Sequence, residues 1–338
     1  MKFLFACFVS ILLYSSEGPD ARESACLVYS PVTRSLLLID GYCAHPNDNR
    51  SNVYSWNERA WSKIVAEGPD TKTLSSGALN TDNNEVVVFG GIGKNGYDDL
   101  HGDTWSFDGK VWHKVQTNPI GTRDHHKMVY DQELHSFIMY GGQNTERKMD
   151  SSTWMLKGNT WTELKIKGPG ARFHFGMAYD PLRKKVVLYG GYNEKGLQED
   201  TWEFDGQKWE LVTTNGPGPR GRFAMTYDGS REMVVLYGGD VSKKKVNSSS
   251  SEEVWDVRGD TWGWNGKQWT KISDGGPERM MAALGYDDAK KMLVLFGGGD
   301  RDETNYSETW QLQRDKWVKV SDNGALRWNG REYEKVGE

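Results

Sequence analysis

The sequence predicts an all-β fold, a β-propeller of six four-stranded blades, with seven blades as the alternative. Three observations carry that prediction. An apolar run closed by Gly-Gly or a near equivalent occurs six times, at Asp40-Gly41, Gly90-Gly91, Gly141-Gly142, Gly190-Gly191, Gly238-Gly239 and Gly297-Gly298. Two aromatics seven residues apart follow each doublet: Tyr54/Trp61, Trp105/Trp112, Trp154/Trp161, Trp202/Trp209, Trp262/Trp269 and Trp310/Trp317. The doublets recur every 48 to 51 residues, apart from one gap of 59. A fixed period marks one supersecondary unit copied in tandem, and this length suits a four-stranded blade.

The fourth repeat justifies each element in turn. Arg172 to Tyr179 reads as a first strand, followed by the polar turn Asp180-Pro-Leu-Arg-Lys184. Lys185 to Tyr189 is a second strand, stopped by Gly190-Gly191, where glycine permits backbone angles other residues resist. A variable loop leads to a third strand, Asp200 to Phe204. Asp205-Gly206 then supplies a tight two-residue turn into a fourth strand, Lys208 to Val212. Gly68-Pro69, Asn118-Pro119, Gly168-Pro169, Gly216-Pro217 and Gly276-Pro277 mark the linkers between repeats. Proline cannot donate to a ladder, so each sits where one outer strand passes to the next inner strand.

A second strand ending in Gly-Gly with two spaced aromatics after it resembles the Kelch repeat. The Asp-Thr-Trp wording at Asp103, Asp200 and Asp260 is similar to that of exported Kelch propellers of the galactose oxidase central-domain type. The first repeat departs most, with Asp40 for the first Gly and Tyr54 for Trp. The resemblance covers residues 22-320. Residues 321-338 form a further hairpin, Leu326 to Val336, either the remnant of a seventh blade or a hairpin on the ring's edge.

Lys2, the apolar run Phe3 to Leu13 and the polar turn that follows read as a secretory signal over residues 1-18, too short to span a bilayer. A secreted or periplasmic protein is therefore expected, with no membrane insertion after cleavage. Cys26 and Cys43 remain in the mature chain; they are a candidate disulfide, although simple hairpin pairing sets them out of register and bridge geometry is strict. The net charge of −5 with interspersed signs gives no reason to expect nucleic acid. Of 15 Trp residues, 11 belong to the repeated pairs, so packing explains their abundance. A monomer is expected.

Every repeat carries a cation where its linker enters the innermost strand: Arg22, Lys72, Arg123, Arg172, Arg220 and Arg279. On a closed ring these six are expected to surround one mouth of the central channel. There they either bind an anionic ligand, as arginine does bidentately, or tie blades together through Asp103, Asp200, Asp260 and Glu308. His125, His126 and His174 stand beside them as candidates for ligand contact or proton transfer. No metal-ligand spacing accompanies them, and nothing in the chain calls for a cofactor. Asn49, Asn247 and Asn305 head glycosylation sequons in the variable loops. The longest loop, Asp240 to Gly259, reads as a polar, mobile segment and a candidate contact for a protein partner.

The expected function is that of an exported binding module using its loop face, for a protein or an anionic small molecule or glycan. The resemblance implies two alternatives: an enzyme acting on an acidic sugar, as in sialic acid mutarotases, or a galactose oxidase-like oxidoreductase. The latter requires a Cys crosslinked to Tyr, and no residue here carries over to that role.

Overall fold

The computed structural model describes residues 18-43, 52-64, 68-93, 95-247, 250-254, 256-322, 324-328 and 333-336. The signal segment, save Gly18, and Asn49 lie outside them. Six four-stranded antiparallel sheets are arranged as the repeats predict. Blade 1 comprises Cys26–Ser30, Ser35–Ile39, Val53–Trp56 and Trp61–Ile64, and blade 2 comprises Ser76–Asn80, Glu85–Phe89, Thr104–Phe107 and Trp112–Val115. Blades 3 to 6 begin with inner strands Lys127–Asp131, Gly176–Asp180, Ala224–Asp228 and Ala283–Asp287. Each blade is continuous in sequence. Successive inner strands are neighbours around a closed ring, Cys26–Ser30 meeting Ala283–Asp287 at the seam. One short 3₁₀ turn, Gly96–Asp98, is the only helical element among the described residues.

The core lies between the blades. Six apolar clusters occupy the six junctions; one joins Ile138 and Tyr140 of blade 3 to Phe175, Leu188 and Trp209 of blade 4. Another closes the seam, setting Leu36, Leu38 and Trp61 against Val294 and Phe296. A lone blade therefore buries little, and the ring as a whole supplies the core. In five of the six repeats the second aromatic also reaches the preceding blade by a hydrogen bond. Trp161 Nε1 donates to Thr104 (3.2 Å), Trp209 to Thr153 (2.9 Å), Trp269 to Thr201 (2.9 Å), Trp317 to Thr261 (2.8 Å) and Trp61 to Thr309 (2.8 Å). Blade 1 has Val53 at the threonine position, and the Trp112 Nε1 that faces this junction is buried without a partner.

These tryptophans explain the linker glycines. A Cβ on Gly68, Gly216 or Gly276 would lie within 3 Å of Trp112, Trp269 or Trp317. Where Asn118 replaces glycine, its side chain instead brackets Trp161, accepting from Trp161 N (2.7 Å) and donating to its carbonyl (2.9 Å).

One expectation changes, and one open alternative closes. The Asp240 to Gly259 insertion continues the sheet: blade 5's strands lengthen to Met233–Asp240 and Val257–Trp264, and Lys243–Asn247 pairs with Ser250–Val254 as a ribbon. Asn247 ends one strand of that ribbon. The C-terminal hairpin, Ala325–Trp328 with Tyr333–Val336, starts no seventh blade. It extends the strand Thr304–Tyr306 of the sixth blade's loop, with Asn305 opposite Leu326. Asn305 is buried there, so a glycan on it would displace the hairpin.

Candidate functional site

The segment entering each inner strand pairs with the residues after the glycine doublet of its own blade. Arg22 lies opposite Cys43, Thr73 opposite Ile92, Asp124 opposite Gln143, Phe173 opposite Tyr192, Gly221 opposite Asp240 and Met280 opposite Gly299. The variable loops and the channel mouth therefore share one face. Cys26 pairs with Ile39, whereas Cys43, beyond the left-handed Asp40-Gly41 step, pairs with Arg22. Neither cysteine forms a disulfide. Cys26 instead packs on blade 2, accepting a hydrogen bond from Gly77 N (3.2 Å).

The cations do not ring the mouth. Arg123, Arg172, Arg220 and Arg279 are buried and turned into their blades. Arg172 shows the arrangement: Nη1 donates to the Gly190 carbonyl (2.9 Å) and to Asp200 Oδ1 (2.8 Å), while Nη2 donates to Asp200 Oδ2 (2.9 Å) and to the Pro169 carbonyl. Arg220 repeats this with Gly238 (3.0 Å) and Asp260 (2.9 Å), and Arg279 pairs with Glu308 (2.8 Å). In blade 3, where Ser152 replaces the motif's aspartate, Asp150 takes Arg123 (3.2 Å). Asp200, Asp260 and Glu308 also accept from the first tryptophan of their repeats, as Asp200 does from Trp202 (2.6 Å). The guanidinium thus cross-links doublet, linker and third strand within a blade. Arg22 donates to the Asp40 carbonyl (3.2 Å) and forms part of the vestibule wall. Lys72 lies in Thr71–Thr73, its backbone alone being described.

The mouth belongs to the residues two further on: Ser24, Leu74, His125, His174, Arg222 and Met281, one per blade. All six have left-handed backbone angles, with φ between 52° and 58°. That conformation is uncommon for residues other than glycine, and repeated six times it is a built feature of the ring. The backbone links several of them directly: Ser24 N donates to Met281 O (2.8 Å), Met281 N to Arg222 O (2.6 Å) and Arg222 N to His174 O (2.9 Å). These six residues form a waist. Above it lies a vestibule of about 460 Å³, and below it a lumen of about 750 Å³; the six are the residues common to both walls.

The vestibule is chemically lopsided. One side of the waist carries His125, His174 and Arg222, the other Leu74 and Met281. The buried Asp124 carboxylate accepts a hydrogen bond from His125 Nδ1 at 2.8 Å, which fixes the orientation of the ring. The His125 ring lies parallel to Tyr97 (6.4 Å) and edge-on to His174 (4.2 Å). Arg222 bonds Asp240 (3.2 Å) and lies 5.6 Å from the Tyr192 ring. Glu23 enters from blade 1, and burial lifts its carboxyl to about 7 against the opposing pull of Arg222. Burial, helped by His125 and Arg222, pushes His174 well below the ordinary histidine range. His126 is not in the vestibule: it is fully buried at the junction of blades 2 and 3, against Phe89, with neither ring nitrogen hydrogen-bonded. It fills the place held by Phe175 and Phe223 in blades 4 and 5.

Of the nine expected mouth residues, His125 and His174 line the waist and Arg22 the vestibule wall. Arg222, Glu23, Tyr97 and Asp124 were missed. Their only sequence signal is variability: the waist position holds Ser, Leu, His, His, Arg and Met inside a unit that otherwise repeats. Among the described residues no three His, Cys, Asp or Glu side chains are grouped to hold a metal ion, and no helix is long and apolar enough to cross a membrane.

No curated protein matches the chain. Residues 110–273 match the family model described as the KLHDC2/KLHL20/DRC7 Kelch-repeats domain. Among solved structures, that of YjhT aligns with a TM-score of 0.69 at 13% identity, covering 90% of this chain and 99% of that one. At that identity the likeness speaks for fold. The repeat wording, the family match over residues 110–273 and the six closed blades together give the chain the fold of a Kelch-type β-propeller.

Proposed function

We propose that the protein is an exported binding module that takes a small anionic ligand, such as an acidic sugar, in the vestibule above the waist. The supporting observation is the waist itself, which places Arg222, His125 and His174 on one side of a cavity within the size range of small-molecule sites. A carboxylate meets Arg222, and the ligand body lies against Tyr97 and the His125 ring. Export rests on the signal-like residues 1-18. Calorimetric titration with acidic sugars and their neutral counterparts, glucuronate against glucose among them, tests the reading. Binding of the acid alone, lost in Arg222→Gln, supports it; equal affinity for the neutral partner refutes it.

A second reading, an enzyme acting on such a sugar, is favoured by Glu23. A carboxyl near pH 7 in the same vestibule as a neutral His174 suits proton transfer at neutral pH. Anomer interconversion followed by NMR, abolished in Glu23→Gln while binding persists, distinguishes turnover from capture.

A further inference from the structure

The lumen below the waist has a charge of its own. Four residues past each blade's cation, the inner strands present Cys26, Ser76, Lys127, Gly176, Ala224 and Ala283. Five of these are small and uncharged, and one is an ammonium. Lys127 lines the 750 Å³ lumen and is half-buried. Among the described residues its Nζ makes no hydrogen bond and no ion pair. The neighbours it influences are the Cys26 thiol and the rings of His126 and His174, none of them an acid of ordinary strength. Burial depresses its basicity, and only Cys26 acts against that.

Two further features make this a place for a ligand. Leu27, Met177, Ala178, Met225 and Leu284 contribute apolar atoms to the same wall. The lumen also runs past Pro31, Thr81, Gln132, Pro181 and Gly229, which sit in the turns of the opposite face, so its entrance is separate from the vestibule. A cation in a confined, weakly polarisable space draws an anion to it, and small neighbours leave the room for one.

We infer that the lumen is a second binding site, for a short-chain aliphatic monocarboxylate whose head group pairs with the Lys127 ammonium and whose tail lies along the apolar wall. It is independent of the vestibule reading, since Arg222 and Glu23 take no part in holding that head group. The probe is hexanoate, with 1-hexanol as its uncharged counterpart, titrated calorimetrically into the full chain. The expected result is that hexanoate binds, that hexanol binds roughly tenfold more weakly or worse, the worth of one hydrogen bond to a charged group, and that Lys127→Met removes the difference. Lys127→Arg should retain hexanoate binding. Because Lys127→Met alters the inner strand, a second readout uses the wild type: the Lys127 side-chain NMR resonance should move as hexanoate is added. No hexanoate binding, equal binding of acid and alcohol, or an unmoved Lys127 resonance at saturation would each overturn the inference.

Discussion

The junction between blades 1 and 2 is one hydrogen bond short of its neighbours, and Val53→Thr should restore it. At the other five junctions a tryptophan indole donates to a threonine hydroxyl at 2.8 to 3.2 Å. Here the Trp112 indole is buried with nothing to accept its proton. An unsatisfied buried donor costs about 1–3 kcal/mol, whereas burying a new hydroxyl costs little only if it is bonded. The balance favours a gain of about 1 kcal/mol. Unfolding entropy near 2.1 cal/mol/K per residue, over roughly 300 ring residues, converts that to an increase of roughly 1.5 °C in Tm. Calorimetry and urea denaturation measure it, and a double-mutant cycle assigns it. Trp112→Phe should cost more in the Val53→Thr background than in the wild type, by the value of the restored bond. An unchanged or lower Tm in Val53→Thr, or an identical cost of Trp112→Phe in both backgrounds, would refute the reasoning.

Other perturbations follow from the same geometry. Asp200→Ala removes the partner of a fully buried arginine and should destabilise the ring by about 3–5 kcal/mol in urea unfolding, far more than removal of the exposed pair Lys148–Glu146. His126→Phe should raise stability by about 1 kcal/mol by removing two unbonded ring nitrogens. It should also flatten the acid limb: His126 is held neutral in the fold, so its contribution is complete above the unfolded value near 6.5 and is lost as pH falls below it. Glu23 has the opposite sign. Its raised value means that its contribution is complete below the unfolded value near 4.5 and is lost as pH rises through about 7, so Glu23→Gln should gain stability over wild type across that interval in pH-dependent melts.

The repeat made the blades legible because every copy confirmed the others. Gly-Gly, Asp-Gly and Gly-Pro each stand where a turn or a close approach of a neighbouring tryptophan demands them. The mouth was legible only in part. Arg172 and His174 are two residues apart, and strict strand alternation would send both side chains to one side. The left-handed residue at the second position breaks that alternation, turning the arginine into the blade and its neighbour onto the axis. No composition or spacing reports a backbone angle, so the cation column misplaced the mouth by two residues. The long insertion was hidden for another reason: polar residues between paired strands read as loop until Lys243–Asn247 finds Ser250–Val254 across a ladder.

Because each blade is built from consecutive strands, the meeting of blades 1 and 6 exchanges none between the chain's two ends. The ring behaves as a clasped bracelet whose clasp carries the same tryptophan–threonine fitting as four of the other five links. At five junctions the covalent chain holds neighbours together even when their packing loosens. At the sixth, non-covalent contacts alone do so, among them Trp61 on Thr309, the backbone bonds from Ser24 and Gly298, the Lys290–Glu58 ion pair, and the packing of Leu38 against Val294 and Phe296. The contacts there join residues as many as 248 apart in sequence, so closing them carries a larger loop-closure entropy than any junction between consecutive blades. The same equivalence makes the choice of clasp arbitrary: joining the present ends and cutting at another Gly-Pro linker would move the opening to a different junction without changing the ring.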